Sequence, residues 1–310
     1  MEINPILDLT IALSSLSCIL KELLFLQTKI NLKKSRLNLY NNPLSSYPMS
    51  LKTILTSLIL SICATYKSTL KFDVIKKVRY GEYERQIGDL YLAKDQNAPL
   101  IITVHGGSWS SRSHHDMNNL AESLASHGYN VFNISYRFAP QFNYPAQIDD
   151  LAKAIDFIKA SYKEKMNLEK IALWGYSSGA QITLMHALKK DSQIKAVVAG
   201  GGPYDFTWWP DSPLITPYMG YGRDENIQGW LDASPITQLH KDAPSLFLYH
   251  GKEDELVGHE QMTSLDARAK LLGIDIETYS VDFWGHAFTF VFSKEALKRG
   301  ILFLNKKLKD

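Results

Sequence analysis

Short apolar runs alternate with longer amphipathic stretches through the last two-thirds of the chain. A short apolar run between turn-forming residues predicts a buried strand, and apolar residues spaced three or four apart predict a helix. In chain order, these patterns predict a strand at 101–104, a helix at 117–127, a strand at 130–135, a helix at 147–162, a strand at 170–174, a helix at 178–189, and strands at 194–199, 245–251 and 276–281. The alternation predicts the α/β class, with a mostly parallel sheet between layers of helices.

A serine lies at the junction of the predicted strand at 170–174 and the helix that follows it. It is the middle residue of Gly175-Tyr176-Ser177-Ser178-Gly179. Glycines on both sides allow strand and helix to approach closely, and the helix N-terminus favours negative charge beside the hydroxyl. The pattern predicts that Ser177 is a nucleophile. An ordinary serine in a glycine-rich turn has the same local sequence, so the rest of the chain has to decide between the two.

A second glycine-rich turn follows the predicted strand at 101–104, in the sequence His105-Gly106-Gly107-Ser108-Trp109. Acyl transfer turns a carbonyl oxygen into an oxyanion, which needs N–H donors already fixed at its position. Glycines leave the backbone open to a substrate. We therefore expect the N–H groups of Gly106, Gly107 and Ser178 to form an oxyanion hole.

An acid and a histidine follow the serine in the order that this chemistry uses. Asp254 comes after the predicted strand at 245–251, and His286 comes after the last predicted strand. In this arrangement His286 accepts the proton of Ser177, and Asp254 fixes the histidine tautomer and stabilises the imidazolium. The competing carboxylates for the acid role are Glu253, Glu255 and Asp282.

With these motifs, residues from about 78 to 308 resemble the α/β-hydrolase esterase and lipase group related to hormone-sensitive lipase and bacterial carboxylesterases. Further matching motifs are Ser135-Tyr136-Arg137-Phe138-Ala139-Pro140, then Pro145-Ala146 and Asp150, and His250-Gly251-Lys252-Glu253-Asp254. The resemblance implies an α/β-hydrolase fold and a serine carboxylic-ester hydrolase that needs no cofactor. We expect Arg137 and Asp150 to form a buried ion pair behind the site.

The segment at about 203–244 is rich in proline and aromatic residues and has the length of a small cap, or of a connecting loop that packs its own aromatic rings. As a cap it would leave room for acyl groups of about two to eight carbons, because each methylene contributes only while the pocket continues. The candidate pocket residues are Trp109, Tyr176, Phe206, Trp208, Trp209 and Phe288.

Other functions share parts of this pattern. Arylformamidases also have a His-Gly-Gly-x-Trp loop, so amide hydrolysis is an alternative, and some proteins of this fold are non-catalytic ligand receptors. The basic residues are interleaved with leucine and serine and not clustered with stacking aromatics, which argues against nucleic-acid binding. His114 and His115 are expected to be solvated loop residues, with metal binding as the lesser alternative, and the prediction is that the site contains no metal.

The first 72 residues are expected to form a helical extension of a catalytic domain at 73–310. Residues 1–80 carry 11 Lys/Arg and 4 Asp/Glu, whereas the remainder carries 23 and 28. Leucine-rich stripes predict two helices, but their uncharged runs of 12 and 14 residues are shorter than the roughly 20 that span a bilayer. Residues 1–70 would therefore either pack on the domain as part of its cap or bind an anionic membrane surface.

Two observations bear on location. Cys18 and Cys63 lie in apolar helical stretches, which does not indicate a disulfide framework and suits a cytoplasmic protein. If translation began at Met49, however, Lys52 and the apolar run after it would resemble a signal peptide, and the protein would be exported. The sequence does not set the oligomeric state.

Overall fold

The computed structural model of the protein describes residues 72–309. Within them, eight strands form one sheet in the order β1-β2-β4-β3-β5-β6-β7-β8. The strands are β1 Phe72–Arg79, β2 Ile87–Ala93, β3 Pro99–Val104, β4 Asn130–Ile134, β5 Asn167–Tyr176, β6 Ile194–Gly200, β7 Ser245–Gly251 and β8 Ile276–Val281. β2 runs antiparallel to β1 and β4, and all other neighbouring pairs are parallel, as the alternation of elements predicts.

Helices lie between the parallel strands, and two more follow β8. They are α1 Asn118–Ser126, α2 Ala146–Ser161, α3 Ser178–Ala187, α4 Ile215–Met219, α5 Ile227–Asp232, α6 Pro235–Gln238, α7 Glu260–Leu271, α8 His286–Phe292 and α9 Lys294–Leu308. The predicted helix at 117–127 is α1, which begins later because His114–Met117 form a separate 3₁₀ turn. β5 begins at Asn167, before the predicted strand at 170–174.

Two apolar layers cover the sheet. In β3, Leu100, Ile102 and Val104 contact one layer and Ile101 the other, because successive strand residues point to opposite faces. α2, α3 and α7 pack on the first face, and α1 and α9 on the second. Every residue of β3 is buried, which explains its uninterrupted apolar run.

The carboxyl ends of the central strands lie at one edge of the sheet. Val104, at the end of β3, pairs with Gly175, and Tyr176, at the end of β5, pairs with Gly200 of β6. Loops that leave this edge bring together residues that are far apart in the sequence, and this is where open α/β sheets bind ligands.

The segment at 203–244 contains a 3₁₀ turn at Phe206–Trp208 and the short helices α4, α5 and α6. No helix within residues 72–309 has the length and apolar character needed to cross a bilayer. The predictions for the N-terminal extension, its membrane contact, a start at Met49 and the two cysteines lie outside the described residues, except that Phe72 already belongs to β1.

Candidate active site

Ser177 lies at the apex of the turn between β5 and α3. Its φ of 55° and ψ of −125° are unusual for a residue with a side chain and cost about 1–3 kcal/mol. The turn requires glycine on both sides: a Cβ on Gly175 would lie 2.2 Å from the carbonyl oxygen of Gly179, and one on Gly179 would lie 2.2 Å from that of Val104. The two glycines thus allow a strained turn that exposes the hydroxyl.

His286 links this serine to a carboxylate. Its Nε2 lies 2.9 Å from Ser177 Oγ, and its Nδ1 lies 2.7 Å from Asp254 Oδ2. With Nδ1–H donating to the carboxylate, Nε2 accepts the hydroxyl proton of Ser177. The structure therefore brings together the three residues proposed from the sequence, across 109 and 32 residues of chain.

Asp254 is 5% exposed and surrounded by donors. The N–H groups of Leu256 and Val257 donate to Oδ1 over 3.1 and 2.9 Å, and His250 Nε2 lies 3.2 Å from Oδ2. Burial alone would raise the pKa of Asp254, but the hydrogen bonds from His250, His286 and Val257 hold it well below its usual range. The carboxylate is therefore charged at neutral pH and suited to stabilise an imidazolium.

The competing carboxylates lie elsewhere. Asp282 Oδ1 is 2.6 Å from Lys252 Nζ in an exposed ion pair. Glu253 and Glu255 are exposed on either side of the buried Asp254. Among the described acidic residues near the end of β7, Asp254 is the one that contacts His286.

The loop after β3 lies against the serine. A Cβ on Gly106 would lie 2.9 Å from the Cβ of Ser177, so only glycine allows this approach. In the part of the chain that the structure describes, the N–H groups of Gly106 and Gly107 donate to no acceptor. Ser178 is the first residue of α3, whose first N–H groups have no partner within the helix. The three expected oxyanion donors are thus free and adjacent to Ser177.

Tyr136 braces this loop from behind. Its hydroxyl donates to the His105 carbonyl over 3.2 Å and lies 3.4 Å from Ser178 Oγ. Its ring stacks on His105 with centroids 4.4 Å apart. Burial lowers the pKa of His105 to about 3, so this histidine is neutral at pH 7 and supports the loop.

Asp150 forms the ion pair expected with Arg137. Its Oδ1 lies 2.7 Å from Arg137 Nη2 and also accepts from Gln86 Nε2 over 2.7 Å, while Oδ2 accepts the backbone N–H of Arg137 over 2.7 Å. The carboxylate is fully buried and the Arg137 side chain is 16% exposed. These bonds fix the segment between β4 and α2, which contains Tyr136.

Asp150→Asn should lower the melting temperature substantially, because it leaves the Arg137 charge buried without its partner. Removing one member of a buried pair costs about 3–5 kcal/mol, which corresponds to roughly 6–20 °C for a domain of this size. Asp149→Asn, on the exposed side of the same helix, is the matched control. Equal melting temperatures for the two variants, measured by calorimetry, would contradict a stabilising role for the pair.

Two cavities meet at Ser177. One of about 70 Å³ is lined by residues that include Trp109, Trp209 and Ile215. The other, of about 480 Å³, is lined by residues that include Tyr176 and His286. A carbonyl compound bound at Ser177 would therefore place its two substituents in cavities of different size.

Three of the expected pocket residues line neither cavity. Phe206 is fully buried and its ring packs edge-on against Trp109, with centroids 5.5 Å apart. Trp208 is 47% exposed, and Phe288, on the outer face of α8, is 61% exposed. Of the other candidates, Trp109 and Trp209 line the small cavity, and Tyr176 lines the larger one while its hydroxyl donates to the His286 carbonyl over 2.6 Å.

Gln181 is a buried residue of the site that the sequence patterns did not indicate. Its Oε1 accepts from Trp109 Nε1 over 3.0 Å and from the Tyr218 hydroxyl over 3.3 Å, and its Nε2 donates to the Ala233 carbonyl over 2.9 Å. One side chain thus connects the glycine-rich loop, α3 and the 203–244 segment. A glutamine in an apolar helix is the only sequence signal of this role.

Known proteins resemble this chain over about two-thirds of its length or more. It is 29% identical over 255 residues to the "Probable carboxylic ester hydrolase LipM" of Mycobacterium tuberculosis, covering 72% of this chain and 58% of LipM. It is 26% identical over 234 residues to a kynurenine formamidase of Meyerozyma guilliermondii, covering 68% and 86%. The chain spans 50–58% of the length of the mycobacterial esterases that it matches.

Solved structures share the fold. A truncated carbohydrate esterase from gut microbiota has a TM-score of 0.70 at 22% identity, covering 78% of this chain and 99% of its own. An inhibited esterase B from Lactobacillus rhamnosis has a TM-score of 0.68 at 17% identity, covering 84% and 97%. These similarities and the sheet confirm the α/β-hydrolase fold predicted from the sequence. The BD-FAE family model matches residues 89–269, more than half of the chain, and the protein therefore belongs to the BD-FAE family of α/β-hydrolases.

Proposed function

We propose that the protein is a serine carboxylic-ester hydrolase with Ser177 as nucleophile, His286 as general base and Asp254 as the acid. The hydrogen-bond chain of 2.9 and 2.7 Å from Ser177 through His286 to Asp254 is the observation that carries the proposal. The mycobacterial relative named as a carboxylic ester hydrolase supports the reaction class.

The reaction follows from the positions of the donors and acceptors. Ser177 Oγ attacks the ester carbonyl carbon while its proton passes to His286 Nε2. The N–H groups of Gly106, Gly107 and Ser178 stabilise the oxyanion, and the tetrahedral intermediate collapses to an acyl-serine as His286 protonates the departing alcohol. Water, activated by the same histidine, then attacks the acyl-serine and releases the acid.

The two cavities suggest how the ester lies. The small cavity beside Trp109 and Trp209 takes the acyl chain, and the larger one beside His286 takes the alcohol, which leaves on the side of the proton donor. In this arrangement the 203–244 segment is a small cap, because Trp209 and Ile215 belong to it. The substrate is a small-molecule ester with a short acyl chain.

The chain-length dependence of kcat/KM on p-nitrophenyl esters should peak within two to four carbons, at the short end of about two to eight, because each buried methylene contributes about 0.8 kcal/mol only while the cavity continues. Trp209→Ala should move the peak to longer chains. Trp208→Ala, which changes a neighbouring tryptophan outside the cavity, should leave it unchanged. A preference that rises continuously to long-chain esters in the unaltered protein would contradict this assignment.

A fluorophosphonate probe tests the reaction class directly, since it labels an activated serine irrespective of the natural substrate. We expect labelling of the full chain and none of Ser177→Ala. An unlabelled wild-type protein would instead favour the non-catalytic receptor.

Hydrolysis of an aryl formamide is the second candidate. The His105–Trp109 loop has the arylformamidase pattern, and the match to a kynurenine formamidase covers 86% of that relative. Parallel assays with an aryl acetate and an aryl formamide separate the two functions. A higher kcat/KM on the formamide would favour the amidase.

A further inference from the structure

We infer that Asp89, His114 and His115 bind a divalent transition metal of the Zn²⁺ type at a site separate from the catalytic serine. One candidate ligand atom from each residue lies within 4.8 Å of the other two. Asp89 is on β2, and the two histidines begin the 3₁₀ turn that follows the His105–Trp109 loop. Both were expected to be solvated, but His114 is only 5% exposed.

The ring of His114 presents an unused nitrogen to this site. Nε2 is buried, makes no hydrogen bond within residues 72–309, and lies 3.7 Å from Asp89 Oδ2. Nδ1 lies 2.8 Å from Ser135 Oγ, so that an Nδ1–H donated to this hydroxyl leaves the Nε2 lone pair facing Asp89. Histidine ligands of metals usually donate their other ring N–H in this way.

His115 supplies the second imidazole from the solvent side. Its ring centroid lies 4.1 Å from that of His114 at an interplanar angle of 48°, and the residue is exposed. Tetrahedral Zn²⁺ with ligands at about 2.0–2.1 Å needs its ligand atoms roughly 3.3–3.5 Å apart. Rotation of the exposed His115 ring can bring its ligand nitrogen to this distance. His114 Nε2 and Asp89 Oδ2, now 3.7 Å apart, would have to approach each other by about 0.2–0.4 Å, and water would complete the coordination.

Lys76 competes with the metal for the carboxylate. Its Nζ lies 2.9 Å from Asp89 Oδ2, but the Lys76 side chain is 53% exposed and can leave for solvent. Asp89 Oδ1 is held separately by the N–H of Lys77 over 2.9 Å. Metal binding would therefore replace an ammonium at Oδ2 and keep the carboxylate in place. Two imidazoles and one carboxylate suit Zn²⁺ and not Mg²⁺ or Ca²⁺, which prefer oxygen ligands.

The position of the site implies that a bound metal would stabilise the fold. His114 and His115 lie between Arg112 and Asp116, which both line the larger cavity. A metal held by these histidines and Asp89 would connect the end of the glycine-rich loop to β2. Bound metal should therefore raise the melting temperature.

The test is calorimetric titration of the full chain with Zn²⁺ alone. We expect His115→Gln to bind one equivalent fewer than the wild type, and His127→Gln, which changes an exposed histidine just after α1, to bind as the wild type does. The comparison cancels any Zn²⁺ held by Cys18, Cys63 or His286, which all three proteins share. In Lys76→Gln the Kd for this Zn²⁺ should fall about two- to fivefold, because Lys76 no longer competes for the Asp89 carboxylate.

Further readouts identify the ligands. Co²⁺ in place of Zn²⁺ should give a visible absorption band typical of tetrahedral coordination, and this band should be absent in His115→Gln. Mg²⁺ should neither bind nor displace Co²⁺. Equal stoichiometry for wild type and His115→Gln, a loss in His127→Gln as well, or unchanged or weaker binding in Lys76→Gln would each overturn the site.

Discussion

Ser177→Ala is expected to lower kcat for p-nitrophenyl butyrate by about 10⁶-fold, with little change in KM. In the proposed mechanism the Ser177 hydroxyl oxygen forms the acyl-enzyme. Among the described residues, no other hydroxyl lies within hydrogen-bond distance of His286 Nε2. His286→Ala should reduce kcat to nearly the same extent, because the serine and its base act as one unit. Steady-state kinetics on both variants and on the double variant measure this, and the double variant should lose little more than either single one.

The control for this experiment is Ser126→Ala, at the end of α1 on the opposite layer of helices. Its kcat should equal that of the wild type, and the melting temperatures of all variants should show that they are folded. Near-normal turnover by Ser177→Ala would show that another residue is the nucleophile. Additive losses in the double variant would show that Ser177 and His286 act independently.

Asp254→Asn is expected to lower kcat by roughly 10⁴-fold. The amide can donate a hydrogen bond to His286 Nδ1, which then favours the tautomer with a proton on Nε2, where no proton can be accepted from Ser177. It also removes the charge that stabilises the imidazolium. The loss should appear in kcat and kcat/KM alike, because the carboxylate acts in the transition state.

Asp282→Asn is the matched comparison, since it makes the same chemical change four residues before His286. Its carboxylate pairs with Lys252 in an exposed contact, and exposed ion pairs contribute little to stability. We therefore expect nearly normal kcat. If Asp282→Asn lowered kcat strongly and Asp254→Asn lowered it only slightly, the acid would be Asp282 and not Asp254.

The sequence could predict which loops meet, because parallel strands end at one edge of the sheet and each candidate residue follows a strand. It could not predict how individual side chains in the 203–244 segment are oriented. Phe206 and Trp208 lie in the same 3₁₀ turn, yet one is fully buried against Trp109 and the other is 47% exposed. Contacts with residues that are distant in the sequence decide whether each ring is buried, and the local sequence does not show these contacts.

The sequence does not indicate the supporting residues either, because their contacts also depend on residues that are distant in the chain. His250 precedes a glycine at the end of β7, but its 3.2 Å contact with Asp254 depends on how this strand ends in three dimensions. β1 was missed because its register shifts between Ile75 and Val78, which disturbs the alternation that identifies a strand. The proximity of Asp89 to His114 depends on the antiparallel pairing of β2 with β4, which no short motif indicates.

Gln181 has a consequence for protein engineering. Grafting a foreign insert in place of residues 203–244 would be the natural route to a new acyl preference, but the graft would remove both the Tyr218 hydroxyl and the Ala233 carbonyl that this amide contacts. Without these two partners Gln181 would no longer hold Trp109 in place, and Trp109 follows the glycines proposed as oxyanion donors. A transplanted segment has to supply a hydrogen-bond donor in place of the Tyr218 hydroxyl and an acceptor in place of the Ala233 carbonyl. Otherwise the change in acyl preference will be accompanied by a lower kcat.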